Sequence, residues 1–496
     1  LGNGVCALVA RRSEVFDFLQ GLSIGALLHI ALLAFTIPRI LSVKRDAVRA
    51  LAWLYFCLLV PYLGCLIFWM IGDPSVRRHT VRVIEGPPIF RASQRRARAS
   101  LRVVVQTKLQ RLQARLGESP ATRGNHVEFY DDGQVAFDAI EAAMRQAQQE
   151  ICVQYYIYRD DELGRRLASI MREKARQGVR VYFLYDAVGS VGLSERFLRW
   201  MRRAGVELHP FLPFGLLVRR VQINFRNHRK LVIVDNKIAF TGGLNVGMEY
   251  IHGTPRLGEW YDIHMRVTGP SVPQLREEYE ADWFFAAEDM DTSFIHIPVP
   301  ELDEESATIP VDENRGWVQT VSGGPDQRVN RIRSLLHFAI SRARRRIWIA
   351  TPYLVPDEAV HSALVSAAYA GIDVRILVQN DKPDQWLPQM AARYFWEEFM
   401  DAGVRLYQYA PGMMHTKMLL MDNDIATVGS ANLDVRSLSL NFEMNLVFYS
   451  RHEIRQTEAL FEAAFLRSTV VGEAFRQRGR MVRMVENFSR LFAPTL

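Results

Sequence analysis

Two uncharged, strongly apolar stretches stand near the start of the chain, residues 18–38 and 50–72, 21 and 23 residues long. At about 1.5 Å of rise per residue, each reaches about 30 Å, the thickness of the hydrocarbon core of a bilayer. Backbone polar groups at that depth must pair within their own segment, so both stretches predict helices. Gly21, Gly25, Pro61 and Gly64 suit membrane helices better than soluble ones. A signal peptide fits the first stretch poorly, because it is long for an h-region, lacks a small-x-small cleavage pattern and is followed by a second apolar stretch. The pattern predicts an N-terminal anchor over residues 1–76 with transmembrane helices at about 18–38 and 50–72.

Past residue 124 the pattern changes to short β-rich apolar runs alternating with amphipathic stretches, and the alternation is written twice. Ile140-Glu-Ala-Ala-Met-Arg-Gln-Ala, then Glu150-Ile-Cys-Val-Gln-Tyr-Tyr, matches Leu336-His-Phe-Ala-Ile-Ser-Arg-Ala, then Arg346-Ile-Trp-Ile-Ala-Thr-Pro-Tyr. Gln177-Gly-Val-Arg-Val-Tyr-Phe-Leu answers to Ala370-Gly-Ile-Asp-Val-Arg-Ile-Leu, a helix stopped at glycine and then a buried strand. Arg203-Ala-Gly-Val-Glu-Leu answers to Asp401-Ala-Gly-Val-Arg-Leu. This order predicts an α/β fold of two pseudo-symmetric halves, residues 125–300 and 326–470, each a mixed, largely parallel sheet flanked by helices. A linker rich in Pro and acid is expected over 301–325. The tail, 471–496, places Met481, Met484, Val485, Phe488 and Phe492 at helical spacing, either to lie in a membrane interface or to cover the body as a packed helix.

Charge placement adds more than composition. An apolar share of 49% with 23% charged residues excludes wholesale disorder, and four cysteines in 496 residues exclude a disulfide framework. The net charge is +7, yet residues 77–115 alone hold eleven Lys/Arg against one acid, Glu85, so the chain after Arg115 is net acidic. A basic connector (77–124) next to a membrane helix predicts contact with anionic lipid. Nucleic acid is not expected as a partner, because the cations adjoin the apolar stretches and not the repeated halves. The loop between the stretches (Arg39, Lys44, Arg45, Arg49) is basic as well. Two spans put that loop and the connector on opposite faces, so the charge bias chooses no side for the halves.

The candidate chemistry sits at equivalent points of the repeat. The first half has His228-Arg-Lys230-Leu-Val-Ile-Val-Asp235, then Gly242-Gly-Leu-Asn245; the second has His415-Thr-Lys417-Met-Leu-Leu-Met-Asp422, then Gly429-Ser-Ala-Asn432. In a strand, positions i and i+2 share a face, so His228 projects with Lys230 and His415 with Lys417. Asp235 and Asp422 have the opposite parity, and Asp235-Asn236 and Asp422-Asn423 read as hairpin turns, so both aspartates, though members of the catalytic motif, are expected to support it structurally ahead of a direct catalytic role. Packed about a pseudo-two-fold axis, the halves bring two imidazoles, two ammonium groups and the carboxamides of Asn245 and Asn432 around one small volume. Two lysines there disfavour a divalent metal, and the chemistry calls for no cofactor. The group suits a phosphodiester anion, with Lys and Asn donors on the non-bridging oxygens, one His attacking phosphorus and the other protonating the leaving alcohol. Each His needs a carboxylate to fix its tautomer, and Asp262 and Glu443 occupy equivalent places on the next strand of each half.

The paired motifs resemble those of the phospholipase D superfamily, and nearly the whole chain resembles its bacterial cardiolipin synthases: two apolar stretches, a basic connector and two HxKxxxxD halves. Local phrases agree, among them Asn227-His-Arg-Lys, Thr351-Pro-Tyr-Leu-Val-Pro, Asn432-Leu-Asp-Val-Arg-Ser-Leu and Asn441-Phe-Glu. The resemblance implies phosphatidyl transfer from one phosphatidylglycerol to another at the bacterial inner membrane, giving cardiolipin and glycerol through a phosphohistidine. It implies His228 as nucleophile and His415 as general acid and base, an order the symmetry of the motifs leaves open. It also implies a phosphate contact from Ser430, where the first half has Gly243. Residues 211–225, with Arg219 and Arg220, and 386–399 are expected either as pocket walls or as ordinary core. The same residues would serve a phospholipase D-type hydrolase, a transferase with another acceptor alcohol, or a nuclease.

Overall fold

Pro61 has no N–H to give and Gly64 no side chain, and the N-terminal unit bends between them. The computed structural model describes residues 24–43, 47–72, 107–117, 119–213, 225–287, 315–327 and 329–492. Within the N-terminal unit a helix runs Ile24–Val43, passing through Pro38, and is long and apolar enough to cross a membrane. The second apolar stretch departs from the expected single span. It is a helix over Ala47–Leu59, a turn with Tyr62 at φ 61, a short helix Leu63–Ile67 and a π-helical turn Phe68–Gly72. Residues 18–23, the connector's 77–106, most of the expected linker and 214–224, with Arg219 and Arg220, lie outside the described residues.

The second unit holds both halves. In the first, strands β1 (His126–Tyr130), β2 (Glu150–Tyr155), β3 (Arg180–Asp186), β4 (Glu207–Phe211), β6 (Leu231–Val234), β7 (Ile238–Gly242) and β9 (His264–Thr268) form one sheet in the order β1-β9-β7-β6-β2-β3-β4. In the second, β10 (Val318–Gly323), β11 (Arg346–Ala350), β12 (Asp373–Val378), β13 (Arg405–Tyr409), β15 (Met418–Met421), β16 (Ile425–Gly429), β17 (Asn441–Phe448) and β18 (Ser468–Val470) run β10-β17-β16-β15-β11-β12-β13-β18. The sheets are mixed: along the two strand orders just given, the parallel pairs are those of β2-β3-β4 and β11-β12-β13, and the rest are antiparallel. The expectation of largely parallel sheets is corrected because β6-β7 and β15-β16 are hairpins, whose three-residue turns force antiparallel pairing. β10 also falls within 301–325, so the stretch expected as a linker contributes a strand. The connector's end is not free either: helix Lys108–Arg115 buries Leu109 in the second half's core, and Arg331 Nε donates to Leu116 O at 3.0 Å.

Apolar residues on one face of each sheet, such as Leu231 and Ile233 of β6 and Met418 and Leu420 of β15, share a single core with helices Ser271–Ala287 and Arg451–Leu466. The opposite faces, with Val232 and Val234 in the first half and Leu419 and Met421 in the second, pack under each half's own helices. Residues 386–399 belong to the second of these cores, where Ala391, Ala392, Trp396 and Phe399 are buried. The tail forms a helix, Arg480–Arg490, whose Glu486 pairs with Arg393 at 3.0 Å and Arg478 at 2.7 Å while Met481, Met484 and Phe488 stay exposed.

The two motif aspartates sit in the left-handed turns, at φ 52 and 51, a region Asp tolerates. The Asp235 carboxylate accepts the N–H groups of Gln148, Gln149 and Glu150 at 2.7–2.9 Å. Asp422 accepts those of Arg344, Arg345 and Arg346, the shortest at 2.8 Å. Each aspartate thus ties its hairpin turn to the start of the neighbouring central strand. Asp422→Ala leaves three strand-start N–H groups without their acceptor and is expected to lower stability by about 2–4 kcal/mol, read as a drop in thermal midpoint in detergent. The folded fraction should keep near wild-type turnover; full loss of turnover at unchanged midpoint would contradict the structural role.

Candidate active site

Two very short ladders place the histidines. β5 (Arg226–Asn227) pairs in parallel with β17 of the other half, Asn227 opposite Phe442. β14 (Gly412–Met414) pairs in parallel with β8 (Glu259–Tyr261), Met414 opposite Tyr261. The next residue on each strand is the motif histidine: His228 N–H donates to Phe442 O at 2.9 Å and His415 N–H to Tyr261 O at 2.8 Å. Each histidine therefore comes to lie beside the residue after its ladder partner, and that residue is a carboxylate. His228 Nδ1 stands 3.0 Å from Glu443 Oε2, and His415 Nδ1 stands 2.7 Å from Asp262 Oδ2. Both expected carboxylates are in place, and each serves the histidine of the opposite half.

With Nδ1 bonded to a carboxylate, Nε2 of each ring is left for chemistry. The two side chains keep 10% and 8% of their surface open, enough for a reacting atom to touch them. Tyr156 meets His228 edge-on at 4.9 Å, and Trp260 and Tyr353 flank His415 at 5.1 and 6.4 Å. Lys230 Nζ donates to His228 O at 2.6 Å; Lys417 Nζ lies 2.7 Å from His415 Nδ1 and 3.7 Å from Asp262.

The groups act on one another's charge. Burial first, then Lys230 and Lys417, hold His228 below the ordinary imidazole range, against the pull of Glu443. Burial and Lys417 push His415 well below it, with a smaller contribution from His228. Burial brings Lys230 down to about 7 and lowers Lys417 too. Burial raises Asp262, whereas the His228 ring, Lys230 and Ser430 outweigh burial at Glu443 and keep it below the usual carboxylate range. Burial thus disfavours the charged form of both imidazoles and both ammonium groups, and an anion between them would favour it again at the two lysines and at His415.

The expected phosphate donors divide. Asn245 Oδ1 accepts Ile157 N–H at 3.1 Å and its amide donates to Tyr250 at 3.2 Å, which leaves one amide N–H for a ligand. Asn432 is buried, its carbonyl oxygen without a hydrogen-bond partner among the described residues. Ser430 is the correction: its hydroxyl donates to Glu443 Oε2 at 2.5 Å and accepts Met444 N–H at 3.0 Å, so it holds the carboxylate and has no hydrogen left for phosphate. Gly243 then follows sterically, since a Cβ there would stand 1.9 Å from Asp262 Oδ1.

One supporting residue escapes a reading by motif. Arg229, the variable position of the first HxK, is buried; its guanidinium pairs with Asp282 at 2.9 Å and Glu278 at 3.2 Å and donates to Glu443 O at 3.2 Å. Asp282 also accepts from Asn227 at 2.8 Å and Gln154 at 2.6 Å. The signal was parity: Arg229 is one residue out of step with His228 and Lys230, so an extended backbone turns it away from them, toward Asp282.

The family model described as cardiolipin synthase, phospholipase D-like domain matches residues 140–283 and 336–465. The chain is 36% identical over 460 residues to a cardiolipin synthase of Geobacillus kaustophilus, covering 91% of this chain and 90% of the relative. It is 35% identical over 487 residues to the probable cardiolipin synthase YwiE of Bacillus subtilis, covering 95% and 93%. A phosphatidylserine synthase of Haemophilus influenzae shares the fold at a TM-score of 0.60 and 16% identity, over 79% of this chain and all of that one. With a crossed pair of HxK half-sites and likeness over nine-tenths of its length, the chain belongs to the cardiolipin synthase family of phospholipase D-like proteins.

Proposed function

We propose that this enzyme, a membrane-associated phosphatidyltransferase, moves a phosphatidyl group from one phosphatidylglycerol to the terminal hydroxyl of a second, giving cardiolipin and glycerol at the bacterial inner membrane. The crossed imidazole–carboxylate pairs carry this reading, because they fix two Nε2 atoms as one nucleophile and one proton carrier. Ser430 and Asn441, at 2.5 and 3.2 Å, steady Glu443 behind His228, which favours His228 as the nucleophile. Its Nε2 lone pair attacks phosphorus, the bond from phosphorus to the glycerol oxygen breaks, and His415 gives that oxygen its proton. In the second step neutral His415 takes the proton of the incoming hydroxyl, whose oxygen attacks phosphorus as the phosphorus–nitrogen bond breaks. Lys230 and Lys417 hold the non-bridging oxygens through both transition states, with Asn245 and Asn432 beside them. Either step can run backwards, because each leaves a phosphodiester or its nitrogen equivalent of similar energy.

Purified protein in detergent, given phosphatidylglycerol alone, should yield cardiolipin and free glycerol in equal amounts; phosphatidic acid as the main product would mark a hydrolase instead. His415→Ala should lower kcat by about 10²–10⁴-fold, and His228→Ala should leave no phosphatidyl-enzyme after a denaturing quench at neutral pH, which spares the acid-labile phosphorus–nitrogen bond. Wild-type turnover in either variant would end the mechanism.

The pH profile follows from the signs. Burial disfavours the His228 imidazolium, so the nucleophile stays neutral to lower pH than a free imidazole, and the acid limb of kcat/KM should fall below pH 6.5. Lys230, brought down to about 7, loses its charge as pH rises, so an alkaline limb is expected near there. Lys230→Arg, which stays charged, should move that limb upward; an unmoved limb would assign it to another group. Chelators should leave the rate unchanged, and a deep loss restored by one divalent cation would reject the metal-free assignment.

A further inference from the structure

The second apolar stretch has limbs too short to cross. Its thirteen-residue helix Ala47–Leu59 spans about 20 Å and the ten residues from Leu63 to Gly72 about 15 Å, against a hydrocarbon core of about 30 Å. The limbs lie side by side and run in opposite directions. A Cβ on Gly64 would stand 2.5 Å from Phe56 O, Trp53 meets Phe68 edge-on at 5.4 Å, and Cys57 and Cys65 are buried between them. Contacts with helix Ile24–Val43 set the depth. At the tip, Tyr62 donates its hydroxyl to Gly25 O at 2.5 Å and its N–H to His29 Nδ1 at 3.3 Å. Further along, Trp69 Nε1 donates to Thr36 Oγ1 at 3.1 Å, and Ala50 packs in one buried cluster with Ile40. The tip is level with Gly25–His29, near the start of that helix, and both open ends lie toward its C-terminal end.

The tip is built to sit out of water. Val60 N–H bonds to Phe56 O at 3.0 Å, Pro61 has no N–H, Leu63 N–H bonds to Pro61 O at 2.6 Å and Gly64 N–H to Val60 O at 2.9 Å. Tyr62 supplies the one remaining donor, and His29, the sole ionisable side chain from Ile24 to Pro38, accepts it. Irregular backbone at membrane depth needs such internal partners, and an ionisable side chain in an apolar helix needs a reason to be there. The outer surfaces are apolar and exposed, among them Phe35, Leu58, Leu59, Leu63 and Leu66.

We propose that residues 47–72 form a re-entrant hairpin that enters and leaves the hydrocarbon of a lipid bilayer by the same face, beside one spanning helix. The conflict of charges then disappears. With two spans, the basic loop (Arg39, Lys44, Arg45, Arg49) and the basic stretch 77–115 fall on opposite faces; with a re-entrant hairpin both meet the same leaflet. Basic residues next to membrane helices collect on the cytoplasmic side, so that face is cytoplasmic and the chain after Gly72 emerges on it.

The test reads faces, not turnover, so its result stands apart from the proposed reaction. Lys44→Cys and Ser75→Cys are made singly in the full chain with its four native cysteines replaced by alanine, and probed with a membrane-impermeant maleimide in spheroplasts and in inverted vesicles. Both sites should be protected in spheroplasts and labelled in inverted vesicles, with Gly2→Cys behaving oppositely. Lys44 and Ser75 labelled from opposite faces would overturn the proposal. If the cysteine-free chain fails to accumulate, epitope tags inserted after Lys44 and Ser75 in the unaltered chain, probed with antibody in the same two preparations, read the same two outcomes.

Discussion

Two backbone ladders of two and three residue pairs decide what the rest of the catalytic unit has to do. β5 adds to β17 and β14 adds to β8, and each exchange carries a histidine across to the other half's carboxylate. Neither half holds a complete imidazole–carboxylate pair, so a half-site by itself has no oriented base. Sheets that share one apolar core, with helices Ser271–Ala287 and Arg451–Leu466 contributing to it, give those short ladders the rigidity that so few hydrogen bonds could not supply alone. Two lysines and two carboxylates buried together balance in charge, which offsets a desolvation cost that any one of them alone would not survive. Removing one carboxylate therefore disturbs the charge of three neighbours as well as one tautomer.

Within this symmetry the two carboxylates are held differently. Glu443 is the longer acid and has Ser430 and Asn441 to steady it, with Arg229 donating to its backbone carbonyl. Asp262 is one methylene shorter, takes Ile263 N–H at 2.9 Å, and fills the space a serine side chain at position 243 would need. The Gly/Ser difference between the halves is thus a packing consequence of the Asp/Glu difference. It gives His228 a firmly ionised partner and His415 one whose charge is more easily lost.

Much of the site was legible because strand parity is a strong rule. It paired His with Lys in each half and turned Asp235 and Asp422 away, while their equivalent places in the repeat marked Asp262 and Glu443 as the candidate carboxylates. What parity cannot carry is pairing over long separation: His228 and Glu443 are 215 positions apart in sequence, and nothing local says that the partners cross. Ser430 was misassigned to phosphate because a hydroxyl near the motif reads the same whether it faces a ligand or a neighbouring acid. The two halves of the fold were legible from the repeat, but its antiparallel share was underestimated, since the hairpins were recognised at their turns and not carried through to the sheet. In the anchor, a run of 23 uncharged residues satisfies a length criterion that ignores Pro61 and the left-handed Tyr62 beyond it.

A duplicated site is suited to a reaction whose two steps mirror each other. Donor and acceptor in the proposed transfer are the same lipid, so the second displacement is the first one reversed with a phosphatidylglycerol hydroxyl standing where glycerol left. A proton carrier that serves the departing alcohol in one direction must serve the arriving one from the same position, which a fixed His415 does without rearrangement. The nucleophile, in contrast, has to accept and release the same phosphorus while its other nitrogen stays bonded. In the proposed assignment that demand falls on His228 alone, and it is on the His228 side that the structure adds Ser430, Asn441 and the buried Arg229. The departures from two-fold symmetry are therefore where the two roles diverge, and the symmetric remainder, two lysines around one anion, is what the roles have in common.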